Sequence, residues 1–372
     1  MKKKIITLAI AGMISAPAFA DQMGAKEGDP QVNVYGVVDA ALLNVTGSGL
    51  HNQTIVESGG PASSHLGIKG SEDLGNGLKV IGMLEYGLNI TDSSNMGSTS
   101  TVAREKMVGL TGDTMGTVQI GYLPSTAYAF SLKFDPFAEG GADPMGALVA
   151  GGNFLIGWSG VANHGDHALS YTTPNMNGFT VDVNRQTASQ ANNLGAPTSA
   201  PAVNIIATLL SANYDNGPLS ISTVYASTSG QGTLSVKNQT EYALGASYDL
   251  TVAKLYGTWQ QGHSPNAVIG TDPTANNSAL NLSATIPVGS GTVSVSYAKT
   301  SIKIANNVNG SAYALSYGYP LSKHSTVYAA VERVSNGSSG NNYSVIDSLA
   351  GAGNLTLGGS SNLMALGMNF HF

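Results

Sequence analysis

A chain of 372 residues in which 42% are hydrophobic and only 10% are charged departs from an ordinary soluble domain, where about a quarter of residues carry charge. Its net charge of -6 argues against a nucleic-acid partner, because phosphate neutralisation needs a basic surface. The absence of cysteine excludes disulfides, thiolate nucleophiles, zinc–thiolate centres and iron–sulfur clusters.

At the N-terminus, Lys2, Lys3 and Lys4 precede an apolar run from Ile5 to Ile14, and Ala18-Phe19-Ala20 offers the small residues that signal peptidase reads. Residues 1–20 are therefore expected to be a secretory signal removed after Ala20, since the apolar run falls short of the ~20 residues that span a bilayer. The remaining 21–372 carry 13 basic and 22 acidic groups, a net charge of -9. No later stretch approaches 18 uninterrupted apolar residues, so a membrane would have to be entered by strands.

Period-two alternation runs through the chain. Phe179, Val181 and Val183 alternate with Thr180, Asp182 and Asn184; Tyr242, Leu244, Ala246 and Tyr248 with Gly245, Ser247 and Asp249; Val293, Val295 and Tyr297 with Ser294 and Ser296. Between such segments fall seven short turns, near Asp73–Gly77, Asp113–Gly116, Pro174–Gly178, Asp215–Pro218, Asp249–Thr251, Pro287–Gly291 and Pro320–Lys323. Eight longer polar connections alternate with them, near 44–61, 91–100, 123–166, 187–201, 229–237, 263–276, 304–308 and 335–360. Fifteen connections join sixteen strands, with short turns at one rim and long loops at the other. The predicted fold is all-β, a 16-stranded antiparallel transmembrane barrel occupying 21–372 as one domain, wide enough for a water-filled lumen. Tyr35, Tyr86, Tyr122, Tyr171, Tyr225, Tyr248 and Tyr319 fall near strand ends, where aromatic girdles would sit.

Four strings are more specific: QVNVYGVVDA from Gln31, SSHLGIKGSEDLGNGLK from Ser63, REKMVGLTGDTMGT from Arg104, and the terminal LGMNFHF. They resemble the general diffusion porins of Gram-negative bacteria in their β-proteobacterial, Neisseria-type form. The resemblance implies an outer-membrane homotrimer whose third loop folds inward, passing small hydrophilic solutes and ions and needing no cofactor or metal. It also implies that Phe372 is the signal read by the barrel insertion machinery.

The segment 123–166 suits that third loop. It is too apolar for disorder, with Phe130, Phe134, Phe137, Met145, Leu148, Phe154, Leu155, Ile156 and Trp158, and it carries Asp135, Glu139 and Asp143. Strand alternation places Asn33, Tyr35, Val37 and Asp39 toward the lumen, then His65, Gly67 and Lys69, then Lys79 and Glu85, then Arg104 and Lys106, with Glu105 facing outward. Basic groups would then line one wall, with the three loop acids opposite them, giving a transverse field that favours polar solutes. His65 and the lumen residue Tyr122 stand where the resembled family commonly has arginine. The thinned basic side predicts weaker anion selectivity than in relatives, with a mild cation preference and a pH-dependent contribution from His65.

Two other readings are weaker. A hydrolase would draw on His164, Asp166, His167 and Ser159, but no G-x-S-x-G, H-E-x-x-H or phosphate-binding loop occurs. A surface adhesin with a plugged lumen would use 187–201 or 335–360, whose Ser, Asn and Gly content suits solvated surface.

Overall fold

The computed structural model describes residues 30–60, 63–93, 103–152, 154–160, 162–189, 204–231, 239–263, 276–302, 308–340, 343–345 and 355–372. The expected signal segment, most of the connections near 91–100, 187–201, 229–237, 263–276 and 304–308, and part of that near 335–360 lie outside them. The first strands are β1 (Gln31–Gly47), β2 (Gln53–Ser58), β3 (His65–Gly75), β4 (Leu78–Gly87), β5 (Ala103–Gly112) and β6 (Gly116–Pro124). Two helices follow, α1 (Thr126–Phe134) and α2 (Pro144–Gly151). Strands resume as β7 (His164–Thr172), β8 (Phe179–Ser189), β9 (Asn204–Asn216), β10 (Leu219–Gln231), β11 (Gln239–Asp249) and β12 (Lys254–His263). The last five are β13 (Asn276–Val288), β14 (Gly291–Ile302), β15 (Gly310–Pro320), β16 (Ser325–Asn336) and β17 (Ser360–His371).

Each strand pairs antiparallel with its neighbours, and β17 returns to pair with β1 from Val37↔His371 to Gly47↔Ser361. Gly36 and Phe372 complete the seam with reciprocal backbone hydrogen bonds of 3.0 and 3.1 Å. The sheet thus closes with no open edge between first and last strands, which is what hydrocarbon demands of backbone N–H and C=O groups.

Seventeen segments make a sixteen-strand barrel because β2 and β3 share one position beside β1. Ala40–Val45 pair with β2, whereas Gln31–Val37 pair with β3. The region 44–61 is therefore largely strand, and the break comes later, at 59–64. Asp39 holds that break together. Its backbone N–H donates to Ser64 Oγ at 2.9 Å, and its carboxylate accepts from Gly60 N at 2.7 Å and from the Tyr328 hydroxyl at 2.6 Å. A Cβ on Gly60 would stand 1.6 Å from that hydroxyl, so the position has room only for hydrogen. All seven predicted turns are present; in one of them Asn76 and Gly77 both take positive φ, 53° and 75°.

Alternation gives each strand two unlike faces. Val34, Ile68, Leu84, Val108, Leu210, Leu244, Leu282, Leu315 and Leu366 lie on an exposed face that is apolar around the ring. The other face divides along its length. Toward the short turns it carries Ser211, Asn213, Ser222, Ser247, Thr258, Asn281, Ser283 and Ser296, joined by hydrogen bonds such as Ser283 to Ser296 at 3.0 Å. Toward the opposite rim it carries Leu43, Val45, Leu209, Val224, Ala226, Ala243, Ala298, Ala312 and Leu363, all buried.

The connection between β6 and β7 covers this apolar half. Phe130 and Phe134 of α1 join Leu155, Ile156, Leu209, Val224 and Ala243 in one cluster. Met145, Leu148 and Val149 of α2 join Leu43, Val45, Ala298, Ala312 and Leu363 in another. Each such side chain contributes about 1.5–3 kcal/mol on burial. Gly245 makes the first fit possible, since a Cβ there would stand 2.6–2.7 Å from the Phe134 and Phe130 rings. Both helices start on side-chain caps: Ser125 accepts from the N–H groups of Ala127 and Tyr128, and Asp143 from that of Gly146.

Removing Phe372 deletes the hydrogen-bonding partner of Gly36 at the seam. We expect its deletion to lower the yield of heat-modifiable, membrane-inserted barrel sharply while leaving the conductance of the barrels that do insert unchanged; normal surface yield would contradict this.

Candidate functional site: a charged cluster beside the third connection

Arg104 stands at the centre. Its Nε donates to Glu85 Oε1 at 2.7 Å, and its Nη2 donates to Glu139 Oε1 at 2.8 Å and to the Tyr128 hydroxyl at 3.0 Å. Glu85 and Arg104 come from the wall, whereas Tyr128 and Glu139 come from the third connection. The Tyr128 hydroxyl also hydrogen-bonds Glu139. Burial, and then the Glu139 charge, push that hydroxyl above its usual titration range, so it remains a donor. Glu85 Oε2 accepts from the Tyr35 hydroxyl at 2.7 Å, and His65 Nε2 lies 3.9 Å from the same oxygen. Lys69 sits over the Tyr35 ring, 4.9 Å from its centroid. The connection is stitched to the break in the wall nearby: Gly141 N–H donates to Gly60 O at 2.5 Å, and Ser63 Oγ to Glu139 O at 3.4 Å.

Strict alternation misplaces two side chains here. The β4–β5 ladder pairs Glu85 with Glu105 but Tyr86 with Ala103, so one extra residue bulges from β5. The bulge lets Arg104 reach Glu85 while Glu105 also shares the Glu85 face. Lys106 pairs with Leu84 and alternates with Val108, which places it on the exposed apolar face, 5.6 Å from the Tyr122 ring centroid and apart from Arg104. Lys79 is also remote, exposed beside the Asn76-Gly77 turn.

The three acids of the connection separate as well. Only Glu139 meets a basic group. Asp135 and Asp143 are 6% and 4% exposed, and they lie beside each other. Asp143 accepts from Gly146 N at 2.8 Å and from the Trp158 indole, and Asp135 from Phe137 N at 2.9 Å. They organise the connection's own fold, and Asp39 likewise serves the break at 59–64. A side chain within hydrogen-bonding range of buried N–H groups stabilises most by accepting them, and the spacing in sequence gives no sign of which acids do so.

A family model described as Gram-negative porin matches residues 7–339. The chain belongs to the Gram-negative porin family. It is 31% identical over 343 residues to outer membrane porin protein 32 of Delftia acidovorans, covering 88% of each chain. Among solved structures it is similar to the anion-selective porin from Comamonas acidovorans, with a TM-score of 0.75, 26% identity, and coverage of 92% of this chain and 100% of that one. The trimer form of an outer-membrane protein of Vibrio cholerae shares the fold, with a TM-score of 0.60 at 12% identity over 92% and 99% of the two chains. This porin is thus an outer-membrane barrel and a passive channel.

The residues of the hydrolase reading are spent otherwise. Ser159 Oγ donates to Gly146 O at 2.8 Å, and the His164 ring lies 4.6 Å from that of Tyr128 and 5.7 Å from that of Tyr122. His167 is exposed, at a positive φ of 50°.

Sequence reasoning missed the polar groups by which the porin wall holds its third connection. Glu241 accepts from Leu155 N at 2.6 Å and from Ile156 N at 3.4 Å, and Gln260 donates to Ile156 O at 3.1 Å. Glu241→Ala leaves two buried N–H groups without an acceptor, at about 1–3 kcal/mol each. Limited proteolysis should then cut near 154–160 in the variant but not in the parent barrel.

Burial, and then the Asp143 charge, raise the Asp135 carboxyl well above the usual carboxylate range. The folded state keeps a proton that the unfolded chain releases near a pKa of about 4. This contribution is full at acid pH and is lost as pH rises through the raised value. Asp135→Asn should abolish that loss, so the variant's connection resists proteolysis better at alkaline pH; identical pH profiles for parent and variant would count against it.

Proposed function

We propose that residues 21–372, exported after cleavage behind Ala20, assemble as an outer-membrane homotrimer in which the third connection folds into each barrel and narrows a diffusion path for small hydrophilic solutes and ions. The observation that carries the inward placement is the packing of α1 and α2 on the strand face opposite the exposed apolar one. Loop acids and wall bases then meet directly at Arg104 rather than facing each other across open water. The ions that pass encounter a guanidinium already flanked by Glu85 and Glu139, together with Lys69 and His65. Such a site offers anions less than a free arginine would, so we infer a weaker anion preference than that named for the Comamonas acidovorans porin, shading toward cations. Catalysis, cofactor and nucleic acid have no place in this reading.

Planar-bilayer recording of the refolded chain tests it. Conductance is expected in sets of three equal steps, with a reversal potential in a potassium chloride gradient on the potassium side. Arg104→Ala combined with Glu139→Ala unties the connection from the wall and should raise the unit conductance. An unchanged unit conductance would mean that the connection does not narrow the path.

A further inference from the structure

We infer that Glu105 is the specificity-determining residue of this pore, presenting to permeating cations, from the bulge beside Arg104, a carboxylate that has no ion-pair partner among the described residues. The inference rests on the channel reading above and adds a residue to it that strand alternation assigns to the lipid side.

Three observations support it. First, the ladder pairs Glu85 with Glu105, Met83 with Met107 and Ile81 with Gly109, so Glu105 shares the face of Glu85, whose carboxylate reaches Tyr35 and Arg104. Second, the neighbouring charges are already committed: Arg104 to Glu85 and Glu139, Glu85 also to Tyr35, and Glu139 also to Tyr128. Glu105 has no hydrogen bond or ion pair among the described residues, although Arg104 adjoins it in sequence. Third, Glu105 is only partly buried, so it remains within reach of water and ions.

One guanidinium therefore stands among three carboxylates, with Lys69 and His65 the basic groups on β3, across β4 from it. A carboxylate in a channel with low-dielectric walls concentrates counter-ions locally and repels ions of its own sign. The ligand class is the hydrated small cation, inorganic or an amine, in transit. An ordinary alternating strand cannot present Arg104 and Glu105 to the same side, so the bulge is what places the acid next to the arginine it outweighs.

The chain has no cysteine, so Glu105→Cys introduces a single thiol. The variant, inserted in a planar bilayer under a potassium chloride gradient, is exposed to a thiosulfonate reagent bearing a quaternary ammonium group. The substitution alone should move the reversal potential toward the chloride side, and modification should move it further while lowering the unit conductance. Lys106→Cys, on the face of Leu84 and Val108, should not respond to the reagent. Glu105→Gln supplies the same loss of charge without a thiol, and only folded, inserted barrels contribute steps to the recording. Normal conductance in Glu105→Cys and Glu105→Gln with the parent's reversal potential would overturn the assignment while leaving the channel reading intact. A reagent response at Lys106 in place of Glu105 would also overturn it, by restoring strict alternation along β5. A parent chain that inserts and conducts nothing would overturn both.

Discussion

Hydrocarbon offers no hydrogen bonds, and that constraint organises the whole molecule. Every backbone N–H and C=O at membrane depth needs a partner within the protein, and for a chain with no long apolar helix among its described residues the closed antiparallel barrel is the solution. The seam between β17 and β1 is consequently as regular as any other pairing, running from Val37 to Gly47 without a register shift. Where the wall does break, between β2 and β3, the freed groups are taken up at once: Gly59 N donates to Asp39 O, Gly60 N to the Asp39 carboxylate, and Ser64 Oγ to Asp39 O. Asp39 looks in the sequence like one more charge on an alternating strand. Its burial shows that it is part of the wall's hydrogen bonding instead.

A sixteen-strand ring encloses more space than its own side chains fill, so the face turned from lipid must be wetted or covered. This barrel does both. The half nearer the short turns carries serine, asparagine and threonine, whereas the half nearer the long connections carries alanine, valine and leucine that would be costly to leave in water. The connection between β6 and β7 matches that second half in composition, and two hydrophobic clusters join them. The connection's backbone is no longer solvated there, so its ends and turns draw on wall side chains. Glu241, Gln260 and Gln186 all bond its main chain, Gln186 through Ala162 O at 3.3 Å. Hydrophobic burial supplies the affinity, and these polar groups set the register of the connection on the wall.

The charged cluster around Arg104 follows from the same two elements, a wall strand and the covering connection. A guanidinium has five N–H donors and is costly to bury without acceptors, and here Glu85, Glu139 and Tyr128 accept from its Nε and Nη2. The arrangement ties the connection to the wall and spends the positive charge in doing so. An arginine at this position is therefore weak evidence of anion preference by itself, since what matters to an ion is the charge left over after local pairing.

Much of this was legible in the residues. Period-two alternation, seven short turns of Gly, Asn, Asp and Pro, and the long polar connections specify strand number, rim polarity and closure, because a barrel strand's two faces meet different solvents and the repeat records that difference. The motif beginning at Arg104 and the terminal Phe372 pointed to the right family. The placement of the charges was not legible. Lys106 and Glu105 exchanged faces because a single bulge shifts the alternation by one, and no local composition marks a bulge. Asp135 and Asp143 became supports of the connection, and only Glu139 met Arg104, because which acid accepts a buried N–H depends on how the connection closes on itself. Sequence alone determined the solvent each face must meet, since that is a local property of every second residue. Only the tertiary structure decided which charges remain unpaired, since pairing depends on residues far apart in the chain arriving within about 3 Å of one another.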